Sequence, residues 1–214
     1  MSERERLGNW AQTISGRMFY PIDPRAEDVD IEDIAHALSF ICRFGGHSAK
    51  FYSVAEHSVR VSDAIQQANG SKADTFFGLL HDAAEAYIGD MIWPLKQSIL
   101  VQGYREIERR VEDAIALRFA LPSEQPPIVK HFDLVLLATE KRDLMNRPDR
   151  SGGARREQAA AASKLGAWHC DVVEALVERI KPWSPSEAKS RFLDRFVELG
   201  GIRPSEDAFI PMGG

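Results

Sequence analysis

The sequence has few of the features that mark secreted, membrane-spanning or nucleic-acid-binding proteins. It holds two cysteines, Cys42 and Cys170, far apart and outside any C-x-x-C pattern, which argues against a disulfide framework or a zinc ribbon. No apolar run approaches the length that spans a bilayer, and the charged start lacks the hydrophobic core of a secretory signal. A net charge of −5 disfavours a polymeric nucleic acid as partner. We therefore expect a cytoplasmic protein that has neither a membrane nor a nucleic-acid partner.

The composition and periodicity indicate a helical globular protein. Hydrophobic residues make up 44% and charged residues 28% of the 214 residues, which is ordinary for a globular chain of one domain. From residue 30 onward, apolar residues recur at steps of three and four, the period of an amphipathic helix. We predict an all-α fold, a compact helical bundle with a short extended N-terminal segment. Residues 1–29 form that segment, 30–200 a single helical domain and 201–214 an irregular tail.

Turn residues and caps divide the helical region. A short β-compatible run, Arg17–Tyr20, precedes it. Residues 90–96 are predicted to form a loop or short turn, and residues 147–156 a loop. Because Ser, Asp and Gly favour helix ends, they set the predicted boundaries. The predicted helices are one begun by Asp30 and stopped by Gly45-Gly46, then Ser53–Ala68, Ser71–Gly89, one through Ile107 and Phe119, Ile128–Met145, one through Val172 and Ile180, and one through Ala188 and Leu199. The Ile128–Met145 helix is apolar on most sides, so it is expected at the centre.

Four ionisable side chains occupy positions where the helical period predicts burial: His57, His81, Asp82 and Asp133. A buried ionisable group is costly unless it is paired or coordinates a metal ion. Two imidazoles and two carboxylates form a mixed nitrogen and oxygen set that suits a divalent transition metal. The sequence therefore predicts one metal ion, either Mn, Co, Zn or Fe.

Glu85 follows the His81-Asp82 pair by one helical turn. On a helix, residues separated by three or four positions share a face, so Glu85 is expected in the same cavity as the pair. A metal ion acidifies a bound water, and a nearby carboxylate takes or relays its proton. We therefore predict that Glu85 is the catalytic acid or base.

The order of these residues resembles the HD-domain superfamily of metal-dependent phosphohydrolases. In that superfamily a first His, a His-Asp doublet and a distant Asp bind the metal. The closer likeness is to bacterial HD-type 5′-deoxynucleotidases and related nucleotide phosphohydrolases, and it covers about residues 30 to 145. The matching elements are Arg43-Phe44, Ala55–Ser58 with His57, the doublet His81-Asp82 followed by Glu85, Gly89-Asp90, Pro94–Lys96 and Asp133.

The resemblance implies hydrolysis of a small phosphate ester, foremost a (deoxy)nucleotide, by a metal-activated water. It makes Arg43 a bidentate phosphate clamp and Lys96 a point-charge partner, whereas an Arg or Lys in such positions is otherwise a surface group. Asp90 either binds a sugar hydroxyl or caps the following turn. His47 either lines the cavity or lies in an exposed loop, and Trp10 and Trp93 are candidates for base contact.

Three alternatives stay open from the sequence. The first two are that the substrate is a nucleoside triphosphate, or an alarmone, instead of a monophosphate. The third is that the chain is a catalytically silent, metal-containing binding or regulatory module. Homo-oligomerisation is also undecided.

Overall fold

The computed structural model describes residues 5–146, 170 and 172–203, and it is mostly helical, as the sequence predicts. The predicted loop at 147–156 and the tail from residue 204 lie outside the described residues. No helix in the described part of the chain is both long and apolar enough to cross a membrane. The helices are α1 (Ile31–Phe40), α2 (Val54–Gln67), α3 (Lys72–Leu80), α4 (Glu85–Ile88), α5 (Trp93–Lys96), α6 (Gln102–Phe119), α7 (Pro127–Leu144) and α8 (Pro185–Glu198), with 3₁₀ turns at Ala26–Asp28, Arg43–Gly46 and Ile99–Val101.

The N-terminal segment folds as a small hairpin on the helices. Strands β1 (Ala11–Gln12) and β2 (Met18–Phe19) pair antiparallel, which confirms the predicted extended segment. Phe19 is buried and stacks on Tyr87, with ring centroids 3.8 Å apart. Asp33, on the first turn of α1, accepts hydrogen bonds from the amide and hydroxyl of Ser15, both at 2.8 Å. The hairpin is thereby fixed to the first helix.

Helix α2 lies at the centre of the bundle, where α7 was expected. It packs against α1, α3, α7 and α8, and its Val54, Val61 and Ile65 side chains are fully buried. Among the larger helices, α7 packs chiefly on α2 and α3. The prediction was wrong because part of the apolar surface of α7, including Leu137, lines an open cleft instead of the core. The central position of α2 places His57 deep inside the molecule.

Helix α1 ends at Phe40, earlier than the predicted stop at Gly45-Gly46. The next residues are extended: the amide of Arg43 donates to the carbonyl of Tyr52 at 2.9 Å, and Val54 donates to Ile41 at 3.1 Å. These bonds to the strand-like entry of α2 replace those that a continuing helix would make. The glycine pair forms a left-handed turn after Arg43, with φ of +59° and +80°.

The predicted helix from Ser71 to Gly89 changes pitch at its middle. Helix α3 ends at Leu80, and the amides of Ala83 and Glu85 then donate to carbonyls three residues back, at 3.0 Å each. Such i to i+3 bonding gives about three residues per turn, so side chains three apart are eclipsed. Asp82 and Glu85 therefore lie one above the other.

The predicted helix through Val172 and Ile180 was wrong, because the described residues from 172 to 184 are irregular. Side chains of α7 bind the backbone groups that a helix would have used. Thr139 Oγ1 accepts from the Leu176 amide and Asp143 accepts from the Ile180 amide, both at 2.9 Å. Helix α8, by contrast, forms as predicted and buries Ala188, Phe192 and Phe196.

Candidate metal centre

The structure brings the four predicted metal ligands to one point. His57 projects from α2, His81 and Asp82 from the tight turn after α3, and Asp133 from α7. His57 Nε2 lies 3.2 Å from Asp133 Oδ1 and 3.7 Å from Asp82 Oδ2, while His81 Nε2 lies 3.3 Å from Asp82 Oδ2 and 4.0 Å from Asp133 Oδ1. Donor atoms that share a transition metal at ~2.1 Å are roughly 3–4 Å apart. His57, His81 and Asp82 offer donor atoms that all lie within 4.8 Å of one another, a spacing that fits one ion, and Asp133 reaches both histidine nitrogens of that group.

The hydrogen bonds of the two imidazoles direct their free nitrogens to that point. His81 Nδ1 is 2.8 Å from the carbonyl of Gly78, and His57 Nδ1 is 2.6 Å from Glu140 Oε1. Because both oxygens only accept, each Nδ1 carries the hydrogen. Each Nε2 is buried without a hydrogen-bond partner. Two unpartnered imidazole nitrogens beside two carboxylates are a donor set that fits a divalent ion.

Electrostatics within the cluster favour positive charge. Burial lowers the pKa of His57, but the neighbouring Glu140 and Asp133 carboxylates outweigh it and raise that pKa to about 9. Burial also raises the pKa of Asp82, yet His81, His57 and Arg43 hold it well below its usual range. The partly exposed carboxylates of Asp82 and Asp133 are thus stabilised by protons on the histidines. A divalent ion would supply the same positive charge.

A cleft of about 490 Å³ opens above this cluster, within the range of small-molecule sites. Six of the eight predicted site residues line it: Arg43, Asp82, Glu85, Asp90, Lys96 and Asp133. His47 and Trp93 line it as well, next to the apolar side chains of Phe44, Met91, Ile92, Leu137 and Met145. Trp10 instead lies half-exposed beside the N-terminal hairpin. The predicted substrate residues thus share one cavity with the carboxylates Asp82 and Asp133, whereas His57 is buried beneath it and His81 lines a separate pocket.

Arg43 lies at the base of the cleft and is not a surface group, since its side chain is 12% exposed. Its Nη1 donates to Asp82 Oδ2 at 3.2 Å, and its Nε is 3.4 Å from Glu140 Oε2. Lys96 differs, because its ammonium group forms an ion pair with Glu108 at 2.6 Å. Arg43 is thus held against the metal ligands, whereas Lys96 is held by α6 at the cleft wall.

Glu85 is buried at the cleft, and its Oε2 lacks a hydrogen-bond partner. Burial, together with the charges of Asp82 and Asp90, raises the pKa of Glu85 well above its usual value. Burial likewise raises the pKa of Asp90. The short helix α5 begins after Ile92 without a side-chain cap, so Asp90 does not cap it. Asp90 faces the cleft instead.

One residue of this site was missed from the sequence. Glu140 is fully buried on α7 and contacts both His57 and Arg43. It follows Asp133 by seven residues, two helical turns, and so lies on the same face of the helix. An acidic residue at that spacing in an apolar helix was the available signal.

The chain is similar over nearly its whole length to two bacterial proteins, and it matches no protein-family model. It is 35% identical over 195 residues to the uncharacterized protein YfdR of Escherichia coli (strain K12), which covers 91% of this chain and 98% of YfdR. It is 36% identical over 194 residues to the uncharacterized protein RCAP_rcc00048 of Rhodobacter capsulatus, which covers 87% of this chain and 93% of that protein. The chain therefore belongs to the family that includes YfdR and RCAP_rcc00048.

Proposed function

We propose that this protein is an HD-type, metal-dependent phosphohydrolase that cleaves the phosphate ester of a nucleotide or deoxynucleotide. The observation that carries the proposal is the convergence of two unpartnered histidine nitrogens, His57 Nε2 and His81 Nε2, with the carboxylates of Asp82 and Asp133. The cluster forms the base of a cleft that also contains an arginine and a buried glutamate. Metal ligands, a phosphate-binding cation and a proton carrier are the groups that such hydrolysis requires.

His57, His81, Asp82 and Asp133 are the residues that would hold the metal. When bound, a divalent ion at such a site supplies an acidic water and polarises a phosphoryl oxygen. Arg43 fixes the Asp82 carboxylate through the 3.2 Å hydrogen bond. It therefore limits the rotamers of one ligand before substrate arrives.

Arg43 is also the cation best placed to bind the phosphate. A guanidinium has five N–H donors, and the contacts with Asp82 and Glu140 leave donors on both terminal nitrogens. Paired N–H groups match two phosphate oxygens at once, which a lysine ammonium does not. The phosphate is thereby held directly above the ligand cluster.

Glu85 supports the proton transfers. Its raised pKa keeps the carboxyl protonated at higher pH than that of an exposed glutamate, so it can donate to the departing oxygen. Glu85 follows Asp82 by three residues on the tight turn and lines the same cleft as Asp82 and Asp133, so this proton is available at the cleft that contains the metal ligands. After the transfer, the carboxylate can accept a proton from the attacking water.

The remaining walls of the cleft suit a nucleoside. Trp93, Ile92 and Leu137 offer apolar surface to a planar base, and the Asp90 carboxylate can accept a hydrogen bond from a sugar hydroxyl. A phosphate at Arg43 with a base beside Trp93 fits within a cavity of about 490 Å³.

The experiment that tests the proposal is a substrate and metal screen. Purified protein, stripped of metal and reloaded separately with Mn²⁺, Co²⁺, Zn²⁺ or Fe²⁺, is offered nucleoside and deoxynucleoside mono- and triphosphates and an alarmone. Released phosphate identifies a monophosphatase, while pyrophosphate or triphosphate identifies the alternative substrates. Stoichiometric metal without turnover of any phosphate ester would instead identify a silent binding module.

Substitutions of single ligands provide a check that does not depend on finding the substrate. His81→Ala and Asp133→Asn should each abolish stoichiometric metal binding, measured by elemental analysis after gel filtration. His131→Ala is the matched control, because His131 is an exposed histidine on α7 away from the cluster. Full metal content in His81→Ala would refute the ligand assignment.

A further inference from the structure

Glu140 is the one fully buried carboxylate in the described part of the chain that contacts both a proposed metal ligand and the proposed phosphate-binding residue. Its Oε1 accepts from His57 Nδ1 at 2.6 Å. Its Oε2 lies 3.4 Å from Arg43 Nε in an ion pair. The two oxygens therefore hold two different functional groups.

These contacts join segments that are distant in the sequence. Glu140 lies on α7, His57 on α2 and Arg43 in the extended stretch after α1. The Arg43 side chain reaches Glu140 with one nitrogen and the metal ligand Asp82 with another. Arg43 is thus held between the carboxylate of Asp82, which would bind the ion, and that of Glu140, which binds the Nδ1 side of His57.

We infer that Glu140 is a positioning residue that couples the metal centre to the phosphate-binding group. Through Oε1 it keeps His57 in the tautomer and orientation that present Nε2 to the ion. Through Oε2 it holds the guanidinium of Arg43 at the base of the cleft. Loss of this carboxylate should therefore weaken metal binding and substrate binding together. The role assigned to Arg43 rests on the proposed function, whereas the role toward His57 rests on the ligand geometry alone.

The test is Glu140→Gln, which keeps the shape and removes one acceptor. A glutamine presents one oxygen and one NH₂ group, so it can still accept from His57 Nδ1 but loses the negative charge that pairs with Arg43, or it turns its oxygen to Arg43 and loses the bond to His57. Metal affinity of the Gln variant, measured by competition with a chelator, should fall ~10–100-fold. The absorption bands of bound Co²⁺ should also shift, because the orientation of one ligand changes. Both readouts are independent of turnover.

Glu56→Gln is the matched control. Glu56 is also a fully buried glutamate, and it neighbours His57 in sequence, but its carboxylate accepts from Arg60 and from the Trp183 amide. Its substitution should lower the melting temperature while metal affinity and the Co²⁺ spectrum stay unchanged. A loss of metal affinity in both variants would attribute the effect to general destabilisation and overturn the inference.

Kinetics at saturating metal test the second half of the coupling. Excess metal restores occupancy in Glu140→Gln, so any remaining defect comes from the displaced guanidinium. We expect kcat/KM to stay at least tenfold below that of the original protein, mainly through a raised KM. In the background of Arg43→Lys, the same substitution should add little. If the loss of kcat/KM in the double variant equals the product of the losses in the two single variants, the two residues act independently and the coupling through Arg43 is overturned.

If Glu140→Gln does not fold, Glu140→Asp decides the point, because the shorter side chain keeps the charge but withdraws it from both partners. Unchanged metal affinity in whichever variant folds overturns the inference and leaves the proposed function intact. Metal binding that depends on Glu140 without phosphate ester hydrolysis would overturn the proposed function and retain the role toward His57. Absence of metal binding by the unmodified protein would overturn both.

Discussion

Glu85→Gln is the substitution that best separates catalysis from metal binding and stability. Glu85 is buried beside the ligand cluster but is not one of the four side chains that converge on the metal position. Glutamine has the same shape and cannot carry or release the proton. We therefore expect stoichiometric metal, an unchanged fold and a large loss of turnover.

The magnitude follows from the role and the surroundings of Glu85. A positioned acid or base contributes ~10²–10⁴-fold, so the barrier should rise by about 3–5 kcal/mol. Stability should not fall, because one carboxylate oxygen has no hydrogen-bond partner and Asp82 and Asp90 disfavour its charge. Replacing a functional but unfavourable charge by a neutral amide commonly stabilises a protein. The expected signature is lower kcat with an equal or higher melting temperature.

The assay measures kcat, metal content and melting temperature for Glu85→Gln beside Glu56→Gln. The control should show the reverse pattern, lower stability with kcat retained, since Arg60 loses a charged acceptor while the carboxylate of Glu56 contacts none of the four ligand side chains. Turnover of Glu85→Gln at the original rate would refute the proton role. Loss of its metal would show that Glu85 is itself a ligand.

Four further outcomes are expected. Arg43→Lys should retain its metal but lose at least tenfold in kcat/KM by steady-state kinetics, because a charge-assisted pair of bonds to phosphate contributes about 1.5–3 kcal/mol per bond. Lys96→Ala should lose less kcat/KM, since the Lys96 ammonium is already paired on α6, and equal losses would contradict this ranking. In the metal-free protein the pKa of His57 is raised to about 9, so the protonated imidazole stabilises the fold fully below pH ~6.5 and this stabilisation is lost as the pH rises toward 9. Melting temperatures measured by scanning fluorimetry should therefore fall over that pH range. A flat profile would refute the protonation of His57 in the folded, metal-free protein. Asp143→Asn should lower the free energy of unfolding by about 1–3 kcal/mol and increase limited proteolysis between residues 172 and 184. The amide removes the charge that pairs with Arg142 and Arg179 and that strengthens the bond from the Ile180 amide.

Local patterns in the sequence were sufficient for most of the helices and for the metal ligands. The Ser53 cap fixed the start of α2, and the apolar run fixed α7 to within a residue at each end. The four ligand positions were visible because a charged group on an apolar face has few stable environments. The structure indeed brings these four side chains together, although the bound ion stays a prediction.

Other features depend on contacts that no local pattern contains. Helix α1 ends early because Ile41 and Arg43 bond to residues 52–54, and the segment from Val172 stays irregular because α7 supplies its hydrogen bonds.

The sequence by itself determined the helical class, the residue ranges of α2 and α7, and the four ionisable residues of the candidate metal centre, since each follows from neighbours within a few turns. Of these four, only His57 is fully buried as predicted, whereas His81, Asp82 and Asp133 are partly exposed. Only the tertiary structure decided that Arg43 and Glu140 form part of the same site. Glu140 meets His57 across 83 residues of sequence. The energy of such a buried ion pair depends on the distance and burial of both partners, and these exist only after the helices have packed.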